Sequence, residues 1–172
     1  MERRIQPSNQ NFLSPTGFRF QLDIVPHVDF YCQQANLPGI SLAEVQVNTP
    51  VNPLYFHGDT VTYEELTIQF ICDENMVNFK EMHDWIISMG APQNPKEQFE
   101  PQKSKRYSDG VLTILTGSNV PQIRYKFKDC FPTSLQGVQF DVTQADIQYL
   151  TTTASFRYNY FEIEQIFNED RR

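Results

Sequence analysis

The chain has 172 residues, 40% of them hydrophobic, with 14 Phe and 8 Tyr, and a formal net charge of −7. A compact domain of this length hides about 70% of the surface its unfolded chain exposes, so a core without staples is expected. The acidic balance argues against a general nucleic-acid binder, which needs Lys and Arg to neutralise phosphates, and disfavours an anionic membrane surface. No apolar run reaches the roughly 18 residues of a membrane span.

The N-terminus "MERRIQPSNQNF" lacks the apolar core of a signal peptide. It reads as an arm over residues 1–14, flexible or docked on a neighbour. In "FRFQLDIV", Phe18, Phe20, Leu22 and Ile24 share one face, the period-two pattern of a strand that Pro26 ends. "HVDFYCQQANLPG" is a second predicted strand, stopped at Leu37-Pro38-Gly39, where Gly would supply a positive φ. A third lies in "SLAEVQVNTP", with Val45 and Val47 two apart. The next segment, "VNPLYFHGDTVTYEE", carries Pro53 and the turn pair Gly58-Asp59. A long hairpin with its tip near Asn52 to Asp59 is therefore expected. Its tip residues, Asn52, Pro53, Leu54, Tyr55, Phe56, His57 and Gly58, include three apolar side chains where loops are usually polar. Either a partner covers them or the loop folds back on its own core.

"LTIQFIC" alternates at Leu66, Ile68, Phe70 and Cys72. The period then changes: Phe79, Met82, Ile86 and Met89 recur at helical steps, with Asp73 or Asn75 as cap, Trp85 flanking the stripe and Gly90 as the closing C′ residue. Residues 91–108 read as a surface loop rich in Pro and charge. "GVLTILTG" and Gln122 to Asp129 are short strands, with a corner at Phe131-Pro132 and a second apolar run beyond it. The closing strand puts Ala154, Phe156, Tyr158 and Tyr160 on one face, and a frayed tail follows from residue 166. The sum is mainly β: six or seven mostly antiparallel strands, a β-barrel or sandwich with one flanking α-helix. A sheet this large must bury its edges. One domain over residues 15–165 accommodates it.

Few constellations carry chemistry. His27, His57 and His83 lie in different elements without metal-ligand spacing. No Walker loop, G-x-S-x-G or G-x-G-x-x-G occurs, so no catalytic, metal or cofactor-binding residues are assigned. Cys32, Cys72 and Cys130 form no CxxC pair and read as reduced, buried thiols of a cytosolic product. The most specific local signal is a basic stripe: Arg124, Lys126 and Lys128 alternate with Ile123, Tyr125 and Phe127. Its sharper reading is phosphate contact. Its ordinary reading is the outer face of a two-faced strand, paired with acidic residues of a neighbouring subunit.

The order of "FLSPTGFRFQLDI", "LPGI", "GDTVTYEELTIQFICDENMVNFKEMHDWI", "DCFPTSLQGVQFDV" and "TTTASFRYNYFEI" resembles the tail tube protein family of contractile-tailed, T4-like bacteriophages. The resemblance implies a non-enzymatic virion subunit assembled in the host cytoplasm, six copies joining their sheets into a ring around a channel that conducts DNA during ejection. Rings would stack through the long hairpin, about Val45 to Glu65, and the tube would meet tail sheath or baseplate proteins. DNA would pass without specific binding. A baseplate hub or tube-initiating ring of the same fold is the alternative, and a nucleic-acid-binding module ranks below both.

Overall fold

A computed structural model describes residues 11–90, 106–143 and 149–166. Most of the predicted arm, most of the 91–108 loop and nearly all of the tail lie outside the described residues. The elements run β1 (Phe18–Leu22), α1 (Pro26–Phe30), β2 (Cys32–Ala35), β3 (Ile40–Val47), β4 (Leu54–Tyr63), β5 (Leu66–Ile71), α2 (Val77–Gly90), β6 (Ser108–Leu115), β7 (Pro121–Leu135), β8 (Thr151–Arg157) and β9 (Tyr160–Gln165). Every pairing is antiparallel. One sheet runs β1-β6-β7-β9, the other β7-β8-β5-β2, and β3 pairs only with β4. The sheets do not close into a barrel; they form a sandwich.

The period-two pattern decides what lies between the sheets. Phe20 and Leu22 of β1, Leu112 of β6 and Phe127 of β7 face Leu66, Ile68 and Phe70 of β5 and Ala154 and Phe156 of β8, in one buried cluster. Full burial of each large apolar side chain stabilises by about 1.5–3 kcal/mol. Trp85 belongs to this cluster rather than flanking it: its ring lies 6.0 Å from Phe156 and its Nε1 donates to the Arg106 carbonyl at 3.3 Å.

β7 is the shared member, and a corner makes sharing possible. Its first half pairs with β6 and β9, its second with β8. Between them Asp129 takes a left-handed φ of 55°, and the β6–β7 register shifts between Ser108 and Gly110. One extra residue on β7 switches the buried set from Phe127 to Cys130 and Pro132. The strand thus continues through Phe131-Pro132, which sequence reading took for the corner. Pro132 is tolerated because this half of β7 is a sheet edge. Opposite, the predicted closing strand is interrupted at Tyr158-Asn159. The Asn159 N–H donates to the Lys128 carbonyl at 3.0 Å and its side-chain amide to Asp129 Oδ2 at 2.8 Å. Beyond this break the phase slips, so Tyr160 is exposed and Phe161 turns inward. Beneath the corner, Phe127 meets Tyr158 at 5.0 Å and Phe161 at 5.7 Å.

Three local expectations are corrected. The second predicted strand begins as α1: Pro26 opens a helical turn, where its fixed φ and missing N–H cost nothing, and only Cys32–Ala35 is extended. No glycine takes a positive φ among the described residues. Gly39, Gly58 and Gly90 are therefore not left-handed turn or cap residues, and Gly90 is itself helical, within α2. Gly58 is needed for close approach, since a Cβ there would lie 2.8 Å from the Ala43 carbonyl oxygen. Buried Asn78, rather than Asp73 or Asn75, secures the start of α2. Its Oδ1 accepts from Phe79 N at 2.8 Å and Asp73 N at 3.4 Å, and its Nδ2 donates to Ile71 O at 2.7 Å. The second apolar run, Val138 to Val142, forms no strand.

Two contacts tether α1. Asp29 Oδ1 accepts from Leu22 N at 2.8 Å, and His27 Nδ1 meets Glu81 Oε1 of α2 at 2.6 Å. Burial pushes the Asp29 carboxyl from its ordinary 3.8 up to about 6, opposed by the Leu22 hydrogen bond and aided by Asp23. The folded chain then holds this proton more tightly than the unfolded chain, so the group's contribution to stability declines as pH rises from 3.8 through about 6. Asp29→Asn keeps an acceptor for Leu22 and removes the buried charge. It should raise stability at pH 7–8 by about 1 kcal/mol, after discounting for partial exposure, with no gain near pH 4, as read by urea titrations at both pH values. Phe127→Ala, which empties the centre of the corner, should cost about 3–5 kcal/mol in the same assay.

Candidate functional site

The β3–β4 hairpin leaves the sandwich as an uncovered ribbon. Every residue of β3 is exposed, and in β4 only Gly58 and Tyr63 are partly covered. Its outer register pairs Val47 with Leu54 and Val45 with Phe56, placing these four apolar side chains on one face. Nearer the base, Leu42 pairs with Val61 and Ile40 with Tyr63. The alternation along β3 puts this second cluster on the opposite face. Leu54, Tyr55 and Phe56 are 49%, 60% and 57% exposed, so they do not fold back on the core. The strand begins at Leu54, which leaves residues 48–53 as the tip; Leu54, Tyr55, Phe56 and His57 are ladder residues, and Gly58 lies in the register shift between the Glu44–His57 and Leu42–Val61 pairs. Asn52 closes the tip with Thr49: its N–H donates to Thr49 Oγ1 at 3.2 Å, and the hydroxyl donates back to the Asn52 carbonyl.

The base of the ribbon is fastened. Tyr158 Oη donates to the Glu64 carbonyl at 3.0 Å, Arg157 Nε meets Glu65 Oε1 at 3.0 Å, and Tyr63 packs on Phe161 at 5.6 Å. Burial pushes the Tyr158 hydroxyl up to about 12, keeping it a donor.

The basic stripe lies on the outer face of β7, as alternation required. Each cation meets a carboxylate of its own chain on a neighbouring strand. Lys126 reaches Glu164 of β9 at 3.0 Å and Arg124 reaches the same oxygen at 3.9 Å, while Lys128 binds Asp109 of β6. Hydrogen bonding to Asp109 is the first cause of the raised Lys128 pKa, followed by the attraction of that same carboxylate. A phosphate ligand would have to displace these acids.

None of the three cysteines is armed as a nucleophile. Burial pushes Cys32 up to about 11 and Cys130 up to about 12, and Cys72 is also raised, so all three remain thiols near neutrality. No group of three or more His, Cys, Asp or Glu suited to a metal occurs among the described residues. What the sequence reading missed is a second uncovered apolar surface. Phe140, Val142 and Tyr149 are 70%, 100% and 67% exposed. The run "GVQFDV" carried the signal, but it was read only as a second apolar run beyond the corner.

The described residues thus form a sandwich with an exposed apolar ribbon projecting from it. The chain belongs to the phage tail tube protein family, whose sequence profile matches residues 5–164. Among curated proteins none matches. Solved structures extend the fold. A chain of the anti-feeding prophage baseplate, 6-fold symmetrised, is 15% identical with a TM-score of 0.65, over 91% of this chain and 97% of that one. A chain of the anti-feeding prophage tube-terminating cap is 13% identical at 0.67, over 94% and 96%. A chain of the PVC sheath–tube complex, an extracellular contractile injection system, is 15% identical at 0.64, over 91% and 94%. The family match makes the chain a phage tail tube family protein, and the tube, cap and baseplate chains share its fold.

Glu164→Gln should change stability by no more than about 1 kcal/mol, since all three partners are substantially exposed. The freed Arg124 and Lys126 should then retard DNA in gels at about 50 mM salt, where the wild-type chain does not.

Proposed function

We propose that this chain is a non-enzymatic virion subunit of a contractile phage tail, forming a ring, six copies around, whose channel conducts DNA during ejection. The uncovered β3–β4 ribbon is the observation that carries it: a solitary monomer gains nothing from exposing Val45, Val47, Leu54 and Phe56 on one face. Edges at β1, β9 and β2, unpaired on one side among the described residues, suit joining of sheets between neighbours. The acidic balance suits a channel that DNA crosses without adhesion. Rings then meet further rings, tail sheath or baseplate proteins, and assembly takes place in the host cytoplasm.

A baseplate hub or tube-end ring is the second reading, favoured by likeness to the baseplate and cap chains as much as to the tube chain. Copy number in purified particles separates the two: many copies for a repeating tube subunit, one ring's worth for an end component. Electron microscopy of the concentrated full chain should show rings or tubes. A strict monomer at every concentration, absent from purified tails, would sink both readings.

A further inference from the structure

α1 has five residues, fewer than the roughly 12–15 that an isolated helix needs in water. Its surroundings must therefore hold it in place. Val25 and Val28 are buried at its root, and the Ile71 N–H donates to the Tyr31 carbonyl at 3.0 Å just past its end. Its two side-chain tethers, Asp29 to Leu22 N and His27 to Glu81, both run through titratable groups. The seam around them is acidic. Asp29 faces Asp23 on the link from β1 and the Cys32 thiol of β2. From α2 come Glu81 and Asp84, which line a hollow of about 520 Å³ together with Asp23, Val25 and Trp85. No Lys or Arg lines it among the described residues. Glu81 meets His27 through Oε1, while its Oε2 is buried without a hydrogen-bond partner.

We propose that α1 is a proton-operated latch: protons on the seam between β1, α1 and α2 hold it shut, and their loss lets it swing out while the sandwich stays folded. The latch needs no second copy of the chain and does not rest on the tube assembly. A neutral Asp29 still offers its carbonyl oxygen to Leu22 N. Once ionised, it sets a charge inside the seam opposite Asp23. The hydrogen bond to the carboxylate is the stronger one, yet burial outweighs it, which is why the carboxyl is pushed up to about 6. The hold from Asp29 is therefore complete below the ordinary 3.8 and fades as pH rises through about 6. His27 acts in the same direction. Its ring can donate to Glu81 whether neutral or charged, but only the cation offsets that carboxylate. The hollow on the α2 side leaves the link from β1 loosely packed, and the Tyr31 carbonyl bond serves as the hinge.

Hydrogen exchange of the dilute full chain tests this, read by mass spectrometry from pH 4.5 to 7.5 and corrected for intrinsic rates. Peptides covering residues 20–31 report on the latch, and peptides from β5 and β8 serve as the reference. Protection of the latch peptides should fall about 5-fold more than the reference over that range, after discounting the Asp29 shift for partial exposure. Asp29→Asn keeps the acceptor and cannot ionise, so it should remove most of this fall. His27→Gln, at an exposed position, should keep the larger part of it. Equal falls in latch and reference peptides would overturn the latch, because opening would then be global. So would an Asp29→Asn variant that responds like wild type. Loss of the whole response in His27→Gln would overturn the assignment of the controlling proton to Asp29. Should Asp29→Asn not fold, the wild-type comparison and His27→Gln still decide.

Discussion

The bend at Asp129 and Asn159 is the constraint on which the rest of the molecule depends. Two antiparallel strands turn there together, held by the Asn159–Asp129 and Asn159–Lys128 hydrogen bonds. A straight ribbon would give one broad, half-wet sheet. The bend folds that ribbon so that β6 and β1 face β5 and β8, and the aromatic residues become a shared core. Asp129 accepts a left-handed φ at small cost, since Asp is among the residues that visit that region. The rings stacked beneath it return more, at about 0.5–1.5 kcal/mol for each aromatic pair beyond simple burial. The same cluster reaches Tyr63 and the Glu64 carbonyl, so the corner also sets the angle at which the β3–β4 ribbon leaves the body.

Much of this was legible because alternation is a local property. Leu66, Ile68 and Phe70, like Phe20 and Leu22, announce their buried face without reference to anything distant. The corner was not legible, because a one-residue phase slip leaves both flanking patterns intact and hides between them. Tyr125 and Phe127 were placed correctly, and Phe131-Pro132 drew attention to the right neighbourhood. The slip itself, at Asp129, looks like any charged residue on a strand. α1 was missed for a related reason: Pro26 stops a strand and starts a helix equally well, and five residues are too few to show a period.

The candidate surfaces divide along the same line. Apolar residues near a turn drew attention to Leu54, Tyr55 and Phe56 but left open whether a partner or the chain's own core covers them; their exposure, and which face each occupies, needed the register with Val47, Gln46 and Val45. The acids that meet the basic stripe are remote in sequence. Asp109 and Glu164 come beside Lys128 and Lys126 only through β6–β7 and β7–β9 pairing. Counting charge along the chain gives the balance but not the pairing.

Internal pairing of that stripe has a further consequence for how like-charged copies meet. With Arg124, Lys126 and Lys128 held by their own acids, the stripe presents a mixed-charge face rather than a positive patch. Long-range attraction between copies is therefore weak, and repulsion between chains of net charge −7 persists over a screening length of about 8 Å at physiological salt. Contact then depends on short-range apolar burial, which acts only after close approach in the correct orientation. On the proposed reading, the outer part of the ribbon, residues 45–56, which carries no charged side chain, provides that approach. In the proposed ring its reach would bring apolar side chains to a neighbouring surface while the bulk of both charges stays apart. Association on these terms should strengthen as salt rises, the reverse of a contact built on the basic stripe.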